Sequence, residues 1–228
     1  MLLVGIVSSA VLPVDKCKLQ DSSCMIPAFQ KAMPIFMGGI PEYGVEALDV
    51  MEMDEVKFEL AGLKFGLKDG RVKGLKNSIV DDVKWDLKSK RLEVVYHVDC
   101  SIKGHYTAAG RILILPITGD GQMKLKLKNL NVTLVINYEM EKKDGKEYVK
   151  PKSYTFKFDV RDGAVFDLTN LFNGNKELSE PMLVFLNENW KQITQEFGNP
   201  MIEVSAKKIF KNLVAFFSKV SITDIAYV

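Results

Sequence analysis

The residues best suited to chemistry in this chain are two histidines, His97 and His105, and three cysteines, Cys17, Cys24 and Cys100. A hydrolase acting on lipid esters would need a serine or cysteine nucleophile beside one of the histidines. His97 falls on the polar phase of an alternating run and His105 follows a bend expected at Gly104, so both read as surface imidazoles. No His-Glu-x-x-His, Gly-x-Ser-x-Gly or four-cysteine zinc pattern occurs. Gly119-Asp120-Gly121 is followed by a strand pattern rather than a helix start, which argues against a dinucleotide fingerprint and for a tight turn. Asp81-Asp82 is a carboxylate pair expected on an exposed turn. These residues point to no catalytic set, no metal and no cofactor.

The cysteines speak to compartment instead. Cys17 and Cys24, in CKLQDSSC, either bridge in an oxidising compartment or stay as two free thiols in a reducing one. A bridge closing so small a loop would contribute roughly 2.5 kcal/mol. Cys100 shares phase with Leu92, Val94, Tyr96, Val98 and Ile102, as a buried packing thiol would.

Strand patterns occupy the middle of the chain. Val56, Phe58 and Leu60 alternate, and after Gly62 the phase shifts to Leu63, Phe65 and Leu67, which predicts a bulge or bend. Asp69-Gly70 reads as a turn. Val83, Trp85 and Leu87 precede a Lys88–Lys90 turn, and a clean apolar face then runs from Arg91 to Lys103. Ile112 to Leu115 is apolar on both faces. A turn is expected over Pro116–Gly121, before Met123, Leu125 and Leu127 alternate with Lys124, Lys126 and Lys128. That lysine ladder reads as a solvated strand face, with an anionic membrane surface as the alternative. Asp144-Gly145 marks a hairpin, and Tyr154, Phe156 and Phe158 alternate on the return. About six strands joined by short turns favour an antiparallel meander.

Helical periods flank this region. Ser22 or Ser23 is expected to cap a first helix carrying Met25, Phe29, Met33 and Phe36, which Pro34 would bend or end. Ser179 is expected to cap a second helix, and Gly198-Asn199-Pro200 to kink it. Residues 179–217, if collinear, would extend about 58 Å. So long and widely apolar a helix needs a sheet wrapped around it.

The totals set outer limits. A chain of 228 residues with 47% hydrophobic content and mean hydropathy of +0.01 supports one large folded domain. Lys and Arg number 31 against 29 Asp and Glu, interleaved rather than clustered, so no nucleic-acid partner is expected. The start, MLLVGIVSSA, reads as the end of a signal segment (residues 1–10), with a genuine N-terminal strand as the alternative. Residues 11–228 would then form the single domain of a secreted, extracellular protein, with no stable membrane insertion. Asn131-Val132-Thr133 is a formal N-glycosylation sequon.

Five segments carry a family resemblance: the Cys17–Cys24 pair, GGIPEYGVEALD at 38–49, GLKNSIVDDVKWD at 74–86, GRILILPITGDGQ at 110–122 and NLFNGNKELSEPMLVFLNENW at 170–190. In this order and spacing they resemble the insect takeout and juvenile-hormone-binding family, takeout proteins most closely. The second, C-terminal disulfide of hormone-binding members has no counterpart here, because Cys100 is the only other cysteine. The resemblance implies an α+β fold in which a strongly curved antiparallel sheet wraps a long C-terminal helix and encloses an apolar tunnel. It implies a secreted, non-catalytic carrier of a terpenoid, fatty acid or isoprenoid, similar to tubular lipid-binding proteins.

On that reading the expected tunnel walls are Met33 and Phe36, then Val94, Tyr96 and Val98, then Phe185, Trp190, Phe210 and Phe217, with Tyr96 or Trp190 as a polar handle. The partner expected is a hydrophobic small molecule, and the protein is expected to be a monomer. An interaction module directed at a receptor or membrane, and a lipid-ester hydrolase, are the alternatives.

Overall fold

The computed structural model describes residues 14–227; the expected signal segment therefore lies outside the described residues. A short strand, β1 (Cys17–Lys18), leads into helix α1 (Ser22–Gly38), and Cys17 is disulfide-bonded to Cys24 in its first turn. Asp21, rather than either serine, caps the helix: its Oδ1 accepts from the Ser23 and Cys24 backbone N–H groups at 3.1 and 3.3 Å. The helix also passes through Pro34. That residue lies on the solvent-exposed side of the helix.

Seven antiparallel strands follow: β2 (Met51–Glu52), β3 (Val56–Leu60), β4 (Leu63–Lys73), β5 (Ile79–Asp86), β6 (Arg91–Ile112), β7 (Leu115–Lys143) and β8 (Lys146–Leu168). The order β2-β4-β6-β7-β8 forms the spine, with β3 beside β4 and β5 beside β6. Along β6 every even position from Leu92 to Tyr106 is buried, and along β7 the alternation continues from Met123 to Tyr138. One face of the sheet is thus apolar over the full length of its two longest strands.

Several turns fall elsewhere than the sequence predicts. Ala61-Gly62 is a two-residue hairpin turn with both φ values positive, not a bulge. Asp69-Gly70 is a bulge inside β4, where the register against β6 shifts between Lys68 and Arg71. Gly104 does not bend β6, because its neighbours pair with β7 on both sides. The turn expected over Pro116–Gly121 is instead the hairpin Leu113-Ile114, with Ile114 84% exposed, and Pro116–Gly121 is regular strand.

The sheet bends where three irregularities line up across it. Registers shift at Asp99 in β6, at Asn129 in β7 and at Arg161-Asp162 in β8. Asn129 pins this corner: its backbone N–H donates to Asp99 Oδ1 at 2.7 Å and its Nδ2 to Asp162 Oδ2 at 3.0 Å. Aligned bulges increase local twist, which lets the sheet curve around a helix.

That helix comes in two parts, α2 (Lys176–Glu188) and α3 (Trp190–Lys219). Asn175, not Ser179, caps α2, accepting from the Leu178 N–H. The break is at Asn189, not at Gly198-Asn199-Pro200. Near it, Asn187 pairs like a peptide group with β8, accepting from the Phe166 N–H at 2.8 Å and donating to the Phe166 carbonyl at 3.0 Å. Gly198 sits inside α3 because a Cβ there would lie 2.8 Å from the Phe158 ring; it brings helix and sheet together rather than kinking the helix. A final turn, α4 (Ile222–Ile225), leads to β9 (Ala226–Tyr227), which pairs in parallel with β1. Helix α1 covers the open edge of β5. The Gln30 amide donates to the Ser78 carbonyl at 3.0 Å and accepts from the Val80 N–H at 2.7 Å.

Candidate ligand-binding site

Between the apolar face of the sheet and α3 lie three chambers in a row. The first, about 150 Å³, is walled by α1 (Met33, Phe36), by β6 (Val94, Tyr96) and by α3 (Leu213, Phe217). The second, about 30 Å³, is bounded by Val98, Cys100, Leu130 and Ala206. The third, about 90 Å³, lies towards the Leu113-Ile114 hairpin among Phe65, Tyr106, Ile117, Phe158 and Phe197. Neighbouring chambers share walls. Tyr96, Leu134 and Ile209 separate the first from the second, and Ile102, Leu127 and Ile202 the second from the third.

The chamber walls are almost wholly apolar. Thr194 lines the third chamber but donates its hydroxyl to the Lys191 carbonyl at 3.0 Å. Among the described residues, Asp15 is the only charged side chain lining any of the three, and it is paired with Lys31 at 2.8 Å. Burial pushes the Cys100 thiol up to about 12, so it stands as a neutral thiol in the wall. A space of this kind favours apolar matter and resists charge.

Five of the nine wall residues expected from the sequence meet in the first chamber: Met33, Phe36, Val94, Tyr96 and Phe217. Val98 lines the second. Phe185, Trp190 and Phe210 line none of the three. Phe185 and Trp190 flank the α2–α3 break, half-buried against the core. Phe210 packs against Tyr154 of β8 with ring centroids 4.8 Å apart and planes tilted by 36°, beside an outer groove. Missed altogether was the third chamber. Its wall was legible as a phase: Ile102, Tyr106, Ala108 and Ile112 keep the even positions of β6, and Ile117, Met123, Leu125 and Leu127 the odd positions of β7.

The remaining reactive groups lie on the outer face. His97 Nδ1 contacts Asp81 Oδ1 at 2.8 Å, and Asn131 Nδ2 reaches the same carboxylate at 3.5 Å. His105 Nε2 contacts Asp120 Oδ1 at 2.6 Å. Among the described residues neither histidine contacts a serine or cysteine, and no group of three or more His, Cys, Asp or Glu is placed to hold a metal. Asp81 and Asp82 are in β5 rather than in a turn. No described helix is long and apolar enough to cross a membrane.

A curved sheet closed over a helix around a row of apolar chambers defines a binding protein for hydrophobic molecules. The chain belongs to the haemolymph juvenile hormone binding protein family, whose model matches residues 1–226. It is 60% identical to the Takeout 1 crystal structure from Epiphyas postvittana, covering 94% of this chain and all of that one, with a TM-score of 0.92. It is 30% identical over 215 residues to the circadian clock-controlled protein daywake of Drosophila melanogaster, covering 89% of this chain and 82% of the relative. A shorter match, 26% over 91 residues, links it to the juvenile hormone-binding protein of Manduca sexta, with 39% and 40% of the two chains covered. The family consists of carriers that bind hydrophobic ligands and are not enzymes.

Proposed function

We propose that this chain is a secreted extracellular carrier that holds one long hydrophobic small molecule along the three chambers, without transforming it. The ligand class is terpenoid, isoprenoid or fatty acyl, and the three chambers act as one tunnel. The observation that carries this reading is the sharing of walls between successive chambers of almost wholly apolar character. Each buried methylene contributes about 0.8 kcal/mol, so about ten give roughly 8 kcal/mol of gross driving force. Immobilisation offsets part of this, leaving an affinity on the order of micromolar.

Secretion is supported by the Cys17–Cys24 disulfide and by the haemolymph family to which the chain belongs. Native mass spectrometry of the purified protein, followed by organic extraction, tests the carrier reading. A co-purifying lipid, or stoichiometric uptake of a fluorescent neutral lipid, is the expected result. Neither occurring would favour a receptor-directed module.

A further inference from the structure

Tyr96 carries a polar group at the middle of the tunnel wall. Its side chain forms part of the wall between the first and second chambers, and the residue is only 7% exposed. Buried tyrosines ordinarily place the hydroxyl on a partner. Tyr106 does so on the Thr169 carbonyl at 2.8 Å, and Tyr138 accepts from the Trp85 indole at 2.9 Å. Tyr96 has no hydrogen-bond partner among the described residues. Around it stand Val94, Val98, Leu134 and Ile209, which offer none, and the neighbouring Cys100 thiol makes no hydrogen bond to it.

A phenylalanine would fill the same space without leaving an unpaired hydroxyl in an apolar cavity wall. The hydroxyl therefore calls for a partner that the described residues do not supply. Apolar chambers lie on both sides of it, so the partner atom sits between two apolar stretches of whatever fills the tunnel. That atom is uncharged. Among the described residues no cationic side chain lines the chambers, and Asp15 at the α1 end is already paired with Lys31, so nothing there compensates an anion. A carboxylate drawn inside would lose its hydration without compensation.

We propose that the Tyr96 hydroxyl donates to an internal carbonyl oxygen of a neutral ligand, so that the tunnel selects long molecules carrying an ester or ketone between two apolar arms over free fatty acids and plain hydrocarbons. This rests on the carrier reading above and narrows its ligand class. Ser205 of α3 lines the same small second chamber and adds a second hydroxyl close to the waist.

The test compares the protein with Tyr96→Phe. Each is loaded with dodecyl dodecanoate or with pentacosane, a hydrocarbon of equal chain length, and binding is measured by native mass spectrometry. The substitution is expected to weaken ester binding by roughly tenfold, the effect of leaving a buried carbonyl unpaired, and to leave hydrocarbon binding unchanged. The carbonyl stretch of the bound ester should lie at lower frequency in the parent protein than in the variant. The ligand-free variant should be at least as stable as the parent. Equal effects on ester and hydrocarbon, or no effect on either, would overturn the proposal and leave the carrier reading standing. Failure of the parent to take up either compound would overturn both.

Discussion

The indole N–H of Trp85 donates to the hydroxyl of Tyr138 across 2.9 Å, with both side chains buried. Trp85 comes from β5 and Tyr138 from β7, so the bond spans the intervening strand β6 at the α1 end of the sheet. The same indole meets Phe29 of α1 and Phe217 of α3 edge-on, at 6.4 and 6.1 Å between ring centroids. One polar contact thus fixes the ring around which sheet, first helix and long helix converge.

Tyr138→Phe should therefore destabilise the fold beyond the loss of an ordinary surface hydrogen bond. It strands the indole N–H in a buried site, a loss of about 1–3 kcal/mol. Denaturant midpoints should fall accordingly at unchanged slope. A midpoint equal to the parent's would mean that water reaches the indole.

Gly119→Ala should be more damaging than its place in a long strand suggests. A Cβ there would collide with the Tyr106 ring, which is wholly buried and held by its bond to the Thr169 carbonyl. Overpacking of this kind costs about 1–3 kcal/mol. The conservative comparison is Gly145→Ala in the Asp144-Gly145 turn, where a Cβ meets nothing within 4 Å and only the positive φ is strained. A larger thermal shift for Gly119→Ala than for Gly145→Ala is the expected result.

Gly119 also shows where sequence reading succeeds and where it stops. Period-two alternation from Leu92 to Val98 and from Met123 to Tyr138 identifies strands and their buried phase without a structure, and it places Val94, Tyr96 and Val98 in the chamber walls. Glycine-rich stretches are ambiguous, because the same residue serves a turn or a close approach. In Gly119-Asp120-Gly121 it serves Tyr106 and Thr169, partners remote in sequence, so the segment looks like a corner and is a strand. Gly198 poses the same ambiguity in α3, and Phe158 resolves it. Phe185, Trp190 and Phe210 carry the same apolar periodicity as the residues that line the chambers, and only the position of the α2–α3 break and the contact with Tyr154 separate them. A helical stripe reports burial; it does not report which buried surface borders a cavity.

Stability should fall on the alkaline side in a defined window. Burial pushes the Tyr106 hydroxyl up to about 12 from its ordinary 10.0; burial and then donation to Glu203 raise Tyr154 to about 12. The unfolded chain therefore ionises first as pH rises. The stabilisation is fully present below about pH 10 and is lost progressively towards about pH 12. Urea denaturation across this range, with phenolate absorbance followed in parallel, should show both changes together. Phenolate forming at all seven tyrosines near pH 10 with the fold intact would contradict it.

Ala206→Phe tests whether the three chambers work as one tunnel. Ala206 is buried on α3 and lines the second chamber, the narrowest of the three at about 30 Å³. A benzyl group there would fill the space through which a chain must pass between its neighbours. A long ligand would then have to withdraw methylenes from one side, and excluding even two costs about 1.6 kcal/mol, roughly fifteenfold in affinity. A short ligand housed in the first chamber, which Ala206 does not line, should bind as before. Overpacking itself costs up to about 3 kcal/mol of stability, so thermal melts of the ligand-free variant must accompany the titrations. Binding measured against chain length should show a break in the variant and none in the parent. Equal weakening at every length would instead mean that the substitution loosens the whole sheet–helix contact, and unchanged binding at every length would mean that the chambers bind separately.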